Sequence, residues 1–399
     1  MRTTIVPTLL DVPAATWNAL RGADNPFLRH EFLAALEDSG CVGAGTGWEP
    51  RHVLLHEHHE LLGAVPLYLK HHSYGEYVFD WAWADAYRRH GAEYYPKLVA
   101  AVPFTPATGA RLLSAPGADG DAVGERLVTA ARELADAEHC SSIHWLFTDE
   151  TQTDWLAARG WMRRTGYQFH WHNRGYRDFD DYLASFTAAR RKKVRQERRY
   201  VREAGVRMQI VDGADAGGTE WDRLYGFYRQ TIARHGATPY LNRAFFHTLG
   251  RAMPESIVLI FAFRGDECVG ASLNLRGMNT LYGRYWGGAP GINALHFEAC
   301  YYTPIEYCIA HRLAHFEAGA QGEHKLARGL APTRTYSAHW LRHTQFSRAV
   351  ADFLAREQRG VDLYLNELNE HTPFKGGGTA TTSHPNPPPL TGAGGGRRA

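Results

Sequence analysis

Three β-rich runs within residues 256–288, SIVLIFAFRGDECVGASLNLRGMNTLYGRYWGG, are separated only by Arg264-Gly265-Asp266-Glu267 and Arg276-Gly277-Met278-Asn279. Connections that short cannot carry a crossover, so the runs are predicted to form an antiparallel three-strand meander. A glycine-rich turn containing Gly287, Gly288, Pro290 and Gly291 follows. After it, NALHFEACYYTPIEYCIAHRL repeats Phe297, Tyr301, Ile305 and Cys308 at helical spacing behind the candidate N-cap Asn293, and Pro304 predicts a kink. Phe316, Ala318 and Ala320 then alternate with Glu317, Gly319 and Gln321, the pattern of a strand over 316–321, and TRTYSAHWL reads as another.

The first half repeats this order. RHVLLHEHHELLGAVPLYLKHHSYGEYVFDWAWADA is a second meander, KLVAAVPF and ERLVTAARELADAEH are predicted helical, SSIHWLFT is a strand, and TDWLAARG leads into WMRRTGYQFHWHN. The same succession twice, without close identity, predicts an α/β fold of two similar halves, 1–170 and 171–372, meeting near 170–185. Residues 373–399, built from Gly, Pro, Ser and Thr, have almost nothing to bury and are expected to be a disordered tail.

Composition narrows the function classes. A chain of 399 residues with 44% hydrophobic content exceeds one usual core, in keeping with two domains. Lys+Arg 44 against Asp+Glu 42 leaves a formal charge of +2, so any attraction to nucleic acid rests on a local patch, and no stable DNA binding is expected. Five cysteines without CxxC spacing fit neither a disulfide framework nor a zinc ribbon and point to a reducing cytoplasm. No run of about 18 apolar residues occurs, so no membrane span is expected. HEHHE (56–60) matches neither HExxH nor HxxEH and falls at a β turn where side chains diverge, so neither a metal nor a cofactor is expected.

Three antiparallel strands, a helix entered through a glycine-rich turn and a returning strand resemble the GNAT acyltransferase fold. Tandem GNAT-like halves resemble the Fem-type peptidyl transferases, and the wording of NPFLRHEFLAALEDSG, GAVPLYLKHHSYGEYVFDWAWADAY, YYPKLVAAVPFTP, GRYWG, HFEACYY and GAQGEHKLARG is similar to a bacterial group of predicted N-acyltransferases called FemAB-like. The resemblance implies two tandem GNAT-like domains with a central cleft, the first on the acceptor side. It also implies transfer of an acyl or aminoacyl group from aminoacyl-tRNA or acyl-CoA to a small amine or peptide acceptor, such as a peptidoglycan-precursor amine. Acetyl-CoA enzymes carry Gln/Arg-x-x-Gly-x-Gly/Ala before the helix, so that backbone N–H groups hold the pyrophosphate. Here the turn reads WGGAPGIN, without the basic residue and with a proline that has no N–H, so acetyl-CoA is expected to bind poorly. A CoA-dependent acetyltransferase and a non-catalytic, ligand-binding relic of the fold remain as alternatives; the oligomeric state is open.

Amide formation needs a group that takes the amine proton and a donor or cation for the oxyanion. In GEHKLARG, Glu323 and His324 are candidate bases, Lys325 and Arg328 candidate cations, and Gln321 a substrate contact; a continuing strand would put Glu323 and Lys325 on one face. Glu298 and Tyr302, four apart in HFEACYY, would share one side of the helix, with Glu298 a further base, while Phe297 and Tyr301 take another. Arg284, Tyr285 and Trp286 are expected to line a cleft, with Tyr282, Arg284 and Trp286 on one strand face. FDWAWADAY, read as a strand, puts Asp80 on one face and Trp81, Trp83 and Asp85 on the other; these four and Lys97 are candidate acceptor contacts. ARRKKVRQERR (189–199) resembles the basic helix of Fem-type enzymes, and Arg191, Lys192 and Arg195 are its candidate phosphate ligands.

Overall fold

The computed structural model describes residues 1–320 and 322–375. Its strands are β1 (Arg2–Val6), β2 (Trp48–Pro50), β3 (His52–Glu57), β4 (Glu60–Val65), β5 (Leu67–Lys70), β6 (Lys97–Ala100), β7 (Leu113–Ser114) and β8 (Ser142–Thr148). They continue with β9 (Met162–His172), β10 (Val206–Asp212), β11 (Ile257–Arg264), β12 (Glu267–Arg276), β13 (Thr280–Gly288), β14 (His315–Glu317) and β15 (Ala331–Leu341). Of the two predicted meanders, β11–β12–β13 forms. In the first half only the hairpin β3–β4 pairs, and after Pro66 the chain leaves that sheet, so that β5 pairs with β2 and β6 instead. Each half also holds one parallel pair, β6 with β8 and β13 with β14, reached through helices as parallel pairing requires.

Eleven strands make one sheet in the order β10-β11-β12-β13-β14-β9-β15-β8-β6-β5-β2, and β1-β3-β4-β7 make a smaller one. The boundary expected at 170/171 falls inside β9. This strand pairs with β14 on one side and β15 on the other, so strands of the two halves alternate and the halves share their backbone hydrogen bonds.

Two local expectations reverse. KLVA is not helical but the fully buried strand β6: a short apolar run reads alike in a buried strand and a buried helix, and its neighbours on both edges decide. FDWAWADAY is not a strand: Trp81–Arg89 is a helix whose buried residues are Trp83 and Tyr87, four apart, and the alternation of Trp81, Trp83 and Asp85 is incidental. Of the expected tail, Phe374 packs against Phe186 at a centroid distance of 5.1 Å, and residues beyond 375 lie outside the described ones.

Alternation along β11 sorts the layers of the second half. Leu259, Phe261 and Phe263 pack with helices Gly218–Arg234 and Arg243–Ala252 on one side. Val258 and Ala262 face the basic helix Ala188–Glu203 and the segment from Leu295 to Ala310 on the other.

Candidate functional site

The sheet opens where β13 and β14 part. Their parallel register runs Thr280↔His315, Leu281↔Phe316 and Tyr282↔Glu317, and then β14 ends while β13 continues to Gly288. Beside this opening lies a cleft of about 1150 Å³ between the halves, walled by residues 72–75, Tyr77, Phe79, Trp81 and Phe104 of the first and by residues 236–242, Arg284–Trp286 and Ala318–Ala320 of the second. Arg284, Tyr285 and Trp286 all line it, although consecutive strand residues point to opposite faces. The register shift between Leu273 and Asn274 explains this: Tyr285 opposes Leu273 and Gly283 opposes Asn274, leaving Arg284 as the extra, bulged residue. The simple strand face expected for Tyr282, Arg284 and Trp286 is broken for the same reason. Arg284 Nη2 donates to Phe104 O at 2.5 Å, across to the first half.

The strand expected over 316–321 stops at Glu317, and Glu323–Arg328 is a 3-10 helix, so Glu323 and Lys325 share no strand face. Lys325 and Arg328 are buried; Glu323 and His324 are exposed. Lys325 Nζ donates to Gly319 O at 2.8 Å and Ala320 O at 3.3 Å, holding the cleft wall from behind. Burial lowers its ammonium to about 8 against a smaller opposing effect of Cys300. Glu323 accepts from the Tyr364 hydroxyl, and His324 Nε2 lies 2.9 Å from the Tyr301 hydroxyl. Gly329 ends the turn at φ 84°, and a Cβ there would stand 2.0 Å from the Tyr182 hydroxyl, which donates to Arg328 O at 2.6 Å; only glycine fits. Gln321 lies outside the described residues.

Glu298 and Tyr302 do share one side, and Phe297 and Tyr301 another, but the helix is interrupted by a π-turn, Glu298–Tyr302, which precedes Pro304 and absorbs its missing N–H. Ala294, not Asn293, occupies the cap position. Glu298 faces the basic helix, where Arg198 Nη2 reaches it at 2.8 Å and also reaches Glu306 at 2.8 Å. Burial raises the Glu298 carboxyl despite Arg198. Tyr302 donates to Glu197, which also holds Arg328 Nη2 at 2.8 Å. The Arg328 guanidinium lies 3.4 Å above the Phe297 ring.

The outer face of the basic helix lines a groove of about 680 Å³. Arg191, Lys192 and Arg195 are brought together there as expected, with Arg199 and Arg202 beside them. GEHKLARG therefore lies between groove and cleft, with Arg328 fastened to the helix behind the one and Lys325 to the wall of the other.

In the first half, Asp80 and Lys97 meet at 2.5 Å, and Lys97 also donates to Glu76 and to the cleft-lining Ser73, each at 2.8 Å. Burial favours the neutral acid at Asp80, but Lys97 outweighs it and holds the carboxyl well below the usual range. Lys97 is fully buried, so it supports the cleft from beneath rather than lining it. Trp81 lines the cleft, Trp83 is buried against His339, and Asp85 is paired with Arg88 and Arg89 on the far side of its helix.

Sequence reasoning missed Glu317. Paired with Tyr282 at the apex of the opening, it lies on the cleft side of the sheet, whereas Phe316 points to the other side. Some of its surface meets open space, yet Oε2 is shielded and has no hydrogen-bond partner among the described residues. Burial pushes its carboxyl up to about 8 against the opposing charges of Arg284 and Arg111. The signal was present: a lone glutamate inside a strand pattern with Phe316 and Ala318.

The fold class is thus mixed α/β, with two GNAT-like halves joined in one sheet that opens between two parallel strands beside a cleft. The chain belongs to the FemAB-like family, described as peptidoglycan biosynthesis/recognition, whose model matches residues 8–376. Its fold is similar to that of crystalline FemX, with 11% identity over 88% of this chain and 100% of that one and a TM-score of 0.51. L-PGS from Bacillus licheniformis aligns with 9% identity over 80% and 93% of the two chains at TM-score 0.49. A tandem GNAT protein of the clavulanic acid biosynthesis pathway aligns with 13% identity over 85% and 98% at 0.44. A comparison with curated proteins gives no significant match. Among the described residues, no helix is long and apolar enough to cross a membrane.

Proposed function

We propose that the protein is an N-acyltransferase that moves an acyl or aminoacyl group onto an amine at the opening between β13 and β14. The observation that carries this reading is the pair of ligand-sized cavities, a basic groove along the helix Ala188–Glu203 and a cleft between the halves, with the GEHKLARG turn fastened to the helix at Arg328 and to the cleft wall at Lys325. The groove suits the phosphates of an aminoacyl-tRNA or acyl-CoA donor, through Arg191, Lys192 and Arg195. The cleft suits the acceptor. Membership of a peptidoglycan biosynthesis/recognition family and the fold shared with FemX support a transferase.

In this reading the amine nitrogen attacks the acyl carbonyl, its proton passes to the Glu317 carboxylate, and the donor's ester or thioester bond breaks as the oxyanion collapses. The leaving atom then takes that proton. A carboxyl that titrates near neutrality suits both transfers. Arg284 is the cation within the cleft that is placed to stabilise the oxyanion. Glu323, His324 and Glu298 have the chemistry of a base but not the position, since Glu323 and His324 sit exposed on the 3-10 turn and Glu298 faces Arg198 of the basic helix, whereas Glu317 stands at the opening itself; Lys325 acts by shaping residues 319–320. Radiolabelled aminoacyl-tRNA and acyl-CoA, each offered with a panel of amines that includes UDP-linked muropeptide, test the reading. It expects a new amide whose single-turnover rate drops about 10²–10³-fold in Glu317→Gln. It fails if no donor yields an amide, or if Glu317→Gln transfers like the parent.

A further inference from the structure

The cleft has a chemistry of its own. Its walls are rich in aromatic side chains, and among the described residues no Asp, Glu or Lys lines it and Arg284 is the one permanent cation that does. No carboxylate lies within ion-pair distance of Arg284 among the described residues, and its Nε is buried without a hydrogen-bond partner. A cleft meant for a diphosphate-linked precursor would need several cations, since each phosphate taken from water must find donors.

The aromatic walls are also exposed to an unusual degree. Tyr74, Phe79 and Trp81 are 68%, 54% and 41% exposed and belong to one lip, with the Tyr74 and Trp81 rings 5.0 Å apart. Large apolar surface left together in water marks a binding surface more often than isolated exposed residues do. Opposite this lip, Tyr240 reaches over from the second half, stacks on Phe104 at 4.5 Å and places its hydroxyl 2.8 Å from that of Tyr77. Rings therefore stand on both sides of the space in front of Arg284. Their flat faces favour a planar ring over a flexible chain, and a lone guanidinium favours a single carboxylate. An aromatic cation that lacks a carboxylate is disfavoured, because Arg284 repels it and, among the described residues, no carboxylate lines the cleft itself; Glu317, at the opening, is left to meet the acceptor's amine.

We propose that the cleft binds a monoanionic aromatic ligand, an aryl-bearing carboxylate held by Arg284 with its ring between Trp81 and Tyr240, and that the amine acceptor is an aromatic amino carboxylate or a short peptide ending in one. This rests on the reading of the cleft as the acceptor side, and it names the acceptor's chemistry.

Calorimetry on the full chain with N-acetyl-L-tryptophan, tryptamine, laurate and UDP-N-acetylglucosamine tests it without any turnover. N-acetyl-L-tryptophan is expected to bind about tenfold or more tightly than each of the other three, with Arg284→Met weakening it by a similar factor. Because Arg284 also bridges the halves, Tyr74→Ala and Trp81→Ala, at exposed positions, give an independent reading; each should weaken binding several-fold with an unchanged melting temperature. Tighter binding of laurate, tryptamine or the nucleotide sugar overturns the proposal, as does parental affinity in all three variants. If the aromatic carboxylate binds and no amide is ever formed, the transfer reading alone has failed. If amides form with acceptors that lack a ring, this proposal alone has failed.

Discussion

The Arg328 guanidinium and the Glu197 carboxylate meet inside the wall between cleft and groove, with Nη2 at 2.8 Å from Oε1 and 2.9 Å from Oε2. Both side chains are buried, and the pair joins the GEHKLARG turn to the basic helix. Read from sequence, Arg328 is a surface cation whose removal leaves folding intact; its burial reverses that. Removing one partner strands a charge, so Arg328→Met is expected to lower stability by about 3–5 kcal/mol, against about half a kcal/mol or less for the exposed Glu323→Gln. Urea unfolding of both variants checks this. Equal, small losses would return Arg328 to the surface.

Arg198 obeys the same logic within the groove, whereas its neighbours do not. Arg198 is held by Glu298 and Glu306, and among the described residues Arg195 pairs only with exposed Asp180 at 3.5 Å. Neutralising Arg191, Lys192 and Arg195 is therefore expected to weaken tRNA binding and flatten its salt dependence while the melting temperature stays nearly constant. Arg198→Gln should lower the melting temperature instead. Filter binding across a salt series, with thermal melts, separates the two classes; an unchanged salt slope in the triple variant would return the helix face to solvent.

Glu317 carries a pH signature. Burial lifts its carboxyl from an ordinary 4.5 to about 8. Between these values the folded chain keeps a proton that the unfolded chain has lost. Its contribution is therefore full at low pH and is lost as pH rises through about 8. Glu317→Gln, which resembles the protonated form, should lose less stability than the parent across that window. In the transfer reaction the parental rate should rise with pH to a plateau above about 8, and the variant should lack this rise. A parent-minus-variant stability difference that is flat from pH 5 to 8 would refute the assignment.

The glycine-rich turn has a packing cause. A Cβ on Gly287 would lie 2.2 Å from Phe227 O, and Gly288 O accepts from Arg234 at 2.9 Å. Gly287→Ala is expected to cost about 1–3 kcal/mol of stability in urea unfolding, because helix Gly218–Arg234 must shift. With that backbone committed and Pro290 lacking an N–H, acetyl-CoA should give no micromolar heat in calorimetry. Pyrophosphate-dependent micromolar binding would restore ordinary acetyl transfer.

Period and punctuation alone settled much of this protein. The meander β11–β12–β13 was legible because short polar turns separate β-branched runs, and the basic helix because its cations recur around apolar Val194 and Val201. The family wording carried the cleft and the residues Arg284–Trp286. Tertiary structure decided the rest, since each remaining feature depends on what a residue meets from distant sequence. KLVA became a strand because β5 and β8 flank it. The two halves became one sheet because β9 found β14 and β15. Lys325, Arg328 and Glu298 are polar in any sequence reading, and only the arrival of Gly319, Glu197 and Arg198 made them buried supports. Glu317 became the carboxyl at the opening because its own strand β14 ends there while its partner β13 runs on to Gly288. Local pattern specifies which side of an element is apolar, but burial and charge pairing belong to contacts that no local pattern contains.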